Sequence, residues 1–237
     1  MAWFFSESEI ESESYFLSGE NAAHAKVLRL RPGEDVTVVT PLGEQCECKY
    51  EGDDRLRVVS RRRCQNEPDV FVTLYQALPK GDKMEFIIQK CVELGVSRIV
   101  PMISARCVSR PDKKSLQKKR VRWQKIALNA AMQSRRGIIP EVCDCVTFNK
   151  AAELTRANDA TVFFYEEGGA PVREILKSKP GTIGIFIGSE GGFEPAEAEL
   201  AKKSGAAAAT LGKRILRAET APLAALSVIM YQTGNFD

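Results

Sequence analysis

The sequence predicts an α/β protein in which a parallel sheet alternating with helices is preceded by a small β-barrel, and three observations carry that reading. Before about residue 70, short strand-like segments are punctuated by turn signals at Pro32-Gly33, Pro41-Leu-Gly43 and Gly52-Asp53. After Asn66-Glu-Pro-Asp69 the rhythm changes to strands alternating with helices, as βαβ units require. In the last quarter, two apolar strands run straight into loops of glycine and charge, Ile183-Gly-Ile-Phe-Ile-Gly-Ser-Glu-Gly-Gly-Phe193 and Leu211-Gly-Lys-Arg-Ile-Leu-Arg-Ala-Glu-Thr-Ala-Pro222. Such strand ends are where ligands dock in open α/β sheets.

The domain boundary is placed between residues 68 and 69. In the first domain the expected strands are Tyr15 to Leu17, Asp35 to Thr40, Cys46 to Tyr50 and Leu56 to Ser60. In the second, Val70 to Ala77 reads as a strand, and Lys83 to Leu94 as a helix stopped by Gly95, with Met84, Ile87, Ile88, Cys91 and Leu94 as its buried stripe. Arg98 to Ser104 is the next strand, and Lys113 to Ser134 a long basic helix with Leu116, Trp123, Ile126, Ala127 and Ala130 on one side. Strands follow at Thr161 to Tyr165, Thr182 to Ile187 and Ala207 to Leu211, with helices near Pro171 to Lys177, Pro195 to Ser204 and Pro222 to Thr233.

Composition narrows the function. In 237 residues, 44% hydrophobic content is enough for a substantial core, and no apolar run reaches the roughly 20 residues that span a bilayer. The acidic start, with Glu7, Glu9, Glu11 and Glu13, is unlike a targeting segment, so a cytoplasmic protein is expected. Seven cysteines include Cys46-Glu-Cys48 and Cys143-Asp-Cys145, whose spacing puts both thiols on one strand face, and none has a CxxC spacing. With His24 the single histidine, no metal site is expected. Residues 101–137 hold eleven Lys and Arg against one acid, Asp112, and a second basic cluster at Arg55, Arg57, Arg61, Arg62 and Arg63 ends the first domain. Two clusters favour an anionic polymer as partner over two merely solvated faces.

The chain has no P-loop, no GxGxxG fingerprint and no Gly-x-Ser-x-Gly elbow. What remains is a site made mostly of backbone at three strand ends, Phe164-Tyr-Glu-Glu-Gly168, Gly188-Ser-Glu-Gly-Gly192 and Leu211 to Thr220, suited to a nucleoside cofactor lacking phosphates.

The segments Gln76-Ala-Leu-Pro-Lys-Gly-Asp-Lys-Met84, Gln89-Lys-Cys-Val-Glu-Leu-Gly-Val96, Arg122-Trp-Gln-Lys-Ile-Ala127, Ile187-Gly-Ser-Glu-Gly-Gly-Phe193 and Leu211-Gly-Lys-Arg-Ile-Leu-Arg-Ala-Glu-Thr-Ala-Pro-Leu-Ala-Ala225, with Val27-Leu-Arg-Leu-Arg-Pro-Gly33, resemble the RsmE family of ribosomal RNA methyltransferases nearly end to end. The resemblance implies a SPOUT-type parallel sheet with a C-terminal trefoil knot over residues 69–237, and a PUA-like β-barrel that helps hold RNA over residues 1–68. It implies S-adenosyl-L-methionine as methyl donor, a homodimer, and methylation at N3 of a uridine in the decoding region of small-subunit (16S) ribosomal RNA, within an assembled subunit. The family's first loop reads Gly-Pro-Glu-Gly-Gly and its second carries Thr-Glu-Thr; here Ser189 and Ala218 stand for the proline and the first threonine.

On this basis the expected cofactor-binding residues are Phe164, Tyr165 and Glu166, then Ile187, Gly188, Glu190, Gly191 and Gly192, then Leu211, Gly212, Ile215, Leu216, Arg217, Thr220 and Ala221. RNA contacts are expected from Arg29, Arg31 and Lys80, from Lys118, Lys119 and Arg122 on the basic helix, and from Arg135, Arg136 and Arg214. For catalysis, an imide N–H must lose its proton while charge spreads onto flanking carbonyl oxygens. Glu190 and Glu219 are candidate proton acceptors and Arg217 the candidate stabilising cation. Glu219 has competing structural roles, pairing with Arg217 or capping the helix that begins at Pro222. Two rival readings are a non-catalytic RNA-binding protein and a SPOUT enzyme acting on a ribose oxygen or on transfer RNA.

Overall fold

Two sheets organise the chain, and the computed structural model describes residues 2–236, leaving the outermost residue of each expected domain outside the description. Contacts divide the chain into one unit of residues 1–67 with Ala131–Ile139, and a second of Pro68–Ala130 with Pro140–Asp237. Ala131–Ile139, which the sequence reading assigns to the second domain, therefore belongs to the first unit. Glu67 explains it: its carboxylate accepts from the backbone N–H groups of Gly137 (2.7 Å) and Ile138 (3.2 Å).

The first unit holds β1 (Ala2–Phe5), β2 (Ser14–Phe16), helix α1 (Gly19–Leu28), β3 (Asp35–Val39), β4 (Glu44–Gly52) and β5 (Arg55–Arg63) in a sheet of order β1-β3-β4-β5-β2. Among the described residues no ladder joins β2 to β1, so the sheet has two edges where a closed barrel is expected. The sequence reading omits β1 and α1. β1 is apolar without alternation, and α1 carries no apolar stripe, so neither shows a periodicity. Phe4, Val36, Val38, Cys46, Cys48 and Leu56 form the core. Burial pushes the Cys46 thiol up to about 11 and the Cys48 thiol up to about 12, which keeps both protonated as packing groups.

The second unit is a seven-stranded sheet, parallel throughout. Its strands are β6 (Phe71–Ala77), β7 (Arg98–Ile103), β8 (Glu141–Val142), β9 (Val146–Thr147), β10 (Ala160–Phe164), β11 (Thr182–Ile187) and β12 (Ala207–Ala209). They run in the order β12-β10-β11-β6-β7-β8, with β9 also on β7. The helices are α2 (Lys83–Glu93), α3 (Lys113–Gln133), α4 (Phe148–Leu154), α5 (Val172–Ile175), α6 (Pro195–Lys203) and α7 (Ala221–Gln232).

Continuous apolar strands such as Thr182–Ile187 are what a sheet covered on both faces selects. Phe163, Phe186, Phe193 and Phe148 pack together beside Tyr75, with ring centroids 4.6 Å apart for Phe163–Phe193 and 4.8 Å for Tyr75–Phe186. Phe148 comes from α4, a two-turn helix too short to show a period in sequence. Two expectations fail locally. Cys143 and Cys145 lie in the gap between β8 and β9, not on a strand, and β12 ends at Ala209, so that Leu211 already belongs to the loop.

Candidate functional site

Because the strands are parallel, β10, β11 and β12 end on one edge, and the loops that leave them enclose a cavity of about 610 Å³. That volume suits a small organic ligand. The expected residues Phe164, Tyr165, Glu166, Ile187, Gly188, Glu190, Gly191, Gly192, Leu211, Gly212, Ile215, Leu216, Arg217 and Ala221 line it, and so do Lys213 and Arg214. Thr220 and Glu219 stand outside the lining. Thr220 is instead the residue preceding α7, where its side chain makes no capping bond.

The glycines are fixed by close approach. A Cβ on Gly188 would stand 3.1 Å from the Cα of Gly192, and Gly192 itself is left-handed (φ 66°), with the Glu166 carboxylate against the place its own Cβ would take. Gly212, at φ 97°, faces open space, the position in the second loop where backbone is least shielded from a ligand. Gln76, fully buried at the end of β6, donates to the Gly188 carbonyl at 3.3 Å and so ties the first loop to the sheet. Ser189 lines the cavity with a buried hydroxyl that has no partner, and Ala218, where the family carries a hydroxyl, is buried as well.

Two further residues, absent from the sequence reading, hold these loops. The Lys83 ammonium, at the first position of α2, stands 2.9 Å from Glu190 Oε1 and 3.0 Å from Glu219 Oε2. The Lys80 backbone N–H donates to both oxygens of Glu190, at 3.2 and 3.3 Å. Hydrogen bonds to Glu190 and then Glu219 hold Lys83 above the ordinary ammonium value. Burial pushes Glu190 up, but the bonds from Lys83 and from the backbone prevail and leave it below the usual carboxylate range. Glu219 is also held low, first by its own backbone N–H and then by Lys83, with Arg217 a smaller influence. Of the two structural roles open to Glu219, pairing with Arg217 and capping the helix, the structure shows neither, and its ion pair among the described residues is with Lys83. A signal existed: a lysine in the first turn opposes the helix dipole and calls for a nearby anion. Arg106, in the loop after β7, donates to the Gly191 carbonyl at 3.1 Å and stands 3.6 Å from Glu166. No sequence motif marked it.

The candidate RNA contacts divide. Arg29, Arg31, Lys80, Lys118, Arg135 and Arg214 are exposed. Lys119 lies 5.9 Å over the Trp123 ring, and Arg122 pairs with Glu85 at 2.7 Å. Arg136 corrects the expectation: its side chain is 3% exposed and paired to Glu67, because it is a core group of the first unit. The cluster on β5 is partly paired, with Arg55 and Arg57 sharing Glu51, Arg61 on Glu44 and Arg62 on Glu47. Among the described residues no cluster of His, Cys, Asp and Glu is arranged to hold a metal ion, and no helix is long and apolar enough to cross a membrane.

The family described as the RNA methyltransferase domain matches residues 66–230. The chain is 35% identical over 235 residues to the Bacillus subtilis protein named Ribosomal RNA small subunit methyltransferase E, covering 94% of this chain and 92% of that one. It is 32% identical to the Mycobacterium tuberculosis protein of the same name, over 93% of this chain and 87% of that one. Among solved structures it resembles a Ribosomal RNA small subunit methyltransferase E from Neisseria gonorrhoeae bound to S-adenosyl methionine, with 31% identity and a TM-score of 0.89 over 98% of this chain and 97% of that one. A putative methyltransferase from Legionella pneumophila, in complex with the same cofactor, is 29% identical with a TM-score of 0.88, covering 97% of each chain.

Proposed function

Since the chain belongs to the ribosomal RNA small subunit methyltransferase E family of RNA methyltransferase domains, we propose that it methylates N3 of a uridine in the decoding region of 16S ribosomal RNA, using S-adenosyl-L-methionine. One observation carries the reading: a ligand-sized cavity at the carboxyl edge of a parallel sheet, walled by glycine backbone and apolar side chains, with Arg217 in its lining.

The residues fit that donor. Gly188 and Gly192 bring main chain close, Phe164, Ile187, Leu211 and Leu216 supply apolar walls, and the unpartnered Ser189 hydroxyl offers a polar contact. When bound, the donor supplies a methyl group on a positively charged sulfur. The chain's task is to hold the uridine ring at near-attack distance while N3 loses its proton to solvent water, which reaches the cavity past exposed Gly212, Lys213 and Arg217. Arg217 is the residue we assign to the charge that then spreads onto the flanking carbonyl oxygens, since its guanidinium has no ion-pair partner among the described residues. Glu190 and Glu219, both held below the ordinary carboxylate range, are weak proton acceptors, and we assign them to holding Lys83.

The reading includes a trefoil knot in the C-terminal part, a first unit that acts as a PUA-like RNA-holding domain, a homodimer, and action in the cytoplasm on an assembled subunit. Exposed Arg29, Arg31 and Arg135 on the first unit, and exposed Lys80, Lys118 and Arg214 on the second, support RNA contacts from each. The test is to delete the gene and map modified nucleosides in 16S RNA. Loss of one N3-methyluridine, restored by the cloned gene, is expected; an unchanged modification pattern rejects the assignment.

A further inference from the structure

We propose that Lys83 is the positioning residue that joins the two glycine loops into one cofactor-receiving wall, by sharing its ammonium between Glu190 on the first loop and Glu219 on the second. The inference rests on the donor site proposed above and concerns how that site is assembled.

An exposed ion pair alone orders little. Three features set this one apart. The ammonium is shared at 2.9 and 3.0 Å between carboxylates that belong to different loops, 29 positions apart in the chain. The carboxylate of Glu190 is also gripped by the Lys80 backbone N–H, in the turn that leads into α2. Lys83 is two-thirds buried and lines the cavity beside Glu190, whereas Glu219 sits behind the lining, so the clamp forms part of the pocket wall and continues into its support.

Taking the ammonium away leaves two carboxylates close together with Arg217 as the nearest other charge, and their repulsion drives the loops apart. The cavity that spans both loops then loses its shape before any contact to the ligand is removed.

Calorimetry with S-adenosyl-L-methionine on the full chain separates the possibilities, using Lys83→Met, Lys83→Arg and the double variant Glu190→Gln/Glu219→Gln. Wild type is expected to bind, Lys83→Met to bind about tenfold more weakly, and Lys83→Arg to recover most of the loss, as a charge-mediated role requires. The double variant should lose a similar factor, and adding Lys83→Met to it should cost nothing further, because all three side chains act as one unit. On acidification the affinity of Lys83→Met should rise as its two unpaired carboxylates are protonated and their repulsion is relieved, while that of wild type holds and then falls as its clamp is lost, a convergence that a space-filling role does not produce. Should Lys83→Met fail to fold, the double variant with Lys83 intact decides. Wild-type affinity in either arm overturns the inference while leaving the donor site standing. Absence of binding by the folded wild type overturns the proposed function itself.

Discussion

Arg106 and Gly191 are in contact through both backbone and side chain: the guanidinium donates to the glycine carbonyl at 3.1 Å, and a Cβ on Gly191 would stand 3.0 Å from the Arg106 Cβ and 3.2 Å from its carbonyl oxygen. The loop that carries Arg106 cannot easily give way, since Arg110 donates to the carbonyls of Ala105 (2.7 Å) and Cys107 (3.1 Å). Gly191→Ala is therefore expected to displace the first glycine loop and weaken donor binding about tenfold, or about 1.4 kcal/mol, while the fold persists. Calorimetry alongside a melting curve checks it, and unaltered affinity would show that the contact is slack.

Arg217 lines the cavity, yet its guanidinium has no ion-pair partner among the described residues, unlike Lys83 in the same lining. Its charge is thus free to act on a substrate. Arg217→Ala should retain donor binding and lose at least about a hundredfold in single-turnover rate, the scale of removing one preorganised charge contact. Equal turnover by the variant would reject the role.

The Lys83 cluster has a defined pH signature. Glu190 and Glu219 are held below their ordinary values, so the stability they contribute is complete above the usual carboxylate pKa of about 4.3 and is lost as pH falls through the lowered value. Lys83 is held above its ordinary value, so its share is complete below that value and is lost only as pH rises through the raised one. The difference in urea midpoint between wild type and Lys83→Met should stay constant across neutral pH and shrink below about pH 4. A difference that persists undiminished at pH 3 contradicts the assignment.

Most of the site was legible because chemistry and conformation coincided in it. Gly188, Gly192 and Gly212 mark close approach or positive φ, and they sit directly after apolar strands, so sequence alone places them at a sheet edge. Lys83 was hidden by its neighbours: it opens a helix with a clear buried stripe, and its partners lie 107 and 136 positions further along the chain. Arg136 was misread for the opposite reason. It ends a basic run, and nothing local distinguishes it from Arg135, whose side chain is exposed, while its partner Glu67 is 69 positions away. Charge runs show where cations are, and only tertiary pairing shows which remain available.

That distinction is measurable on α3. Lys118 is exposed and has no ion-pair partner among the described residues, Lys119 stacks on Trp123, and Arg122 is committed to Glu85. Each phosphate contact releases counterions and adds roughly 0.7–0.9 to the slope of log affinity against log salt. Lys118→Glu should reduce that slope for ribosomal RNA by about one contact, more than Arg122→Gln does. Slopes that change equally would mean that the Glu85 pair opens when RNA arrives, and unchanged slopes would return α3 to a solvated face.

Arg136 should behave as a stability residue. Its guanidinium donates to Glu67 through Nε at 3.2 Å, Glu67 also accepts from Gly137 and Ile138, and the Arg136 carbonyl receives the Trp3 indole N–H at 3.0 Å. Removing the carboxylate leaves a guanidinium of 3% exposure without its main counter-charge, and two backbone donors without their acceptor. Breaking a buried pair from one side costs about 3–5 kcal/mol, and since Glu67 is itself partly solvated, Glu67→Ala is expected near the lower figure. Urea unfolding of the first unit's Trp3 fluorescence reads the loss directly, and the RNA salt slope of the folded fraction should not move. A variant with unchanged midpoint but a steeper slope, from an Arg136 released to phosphate, would place Arg136 back on the RNA surface.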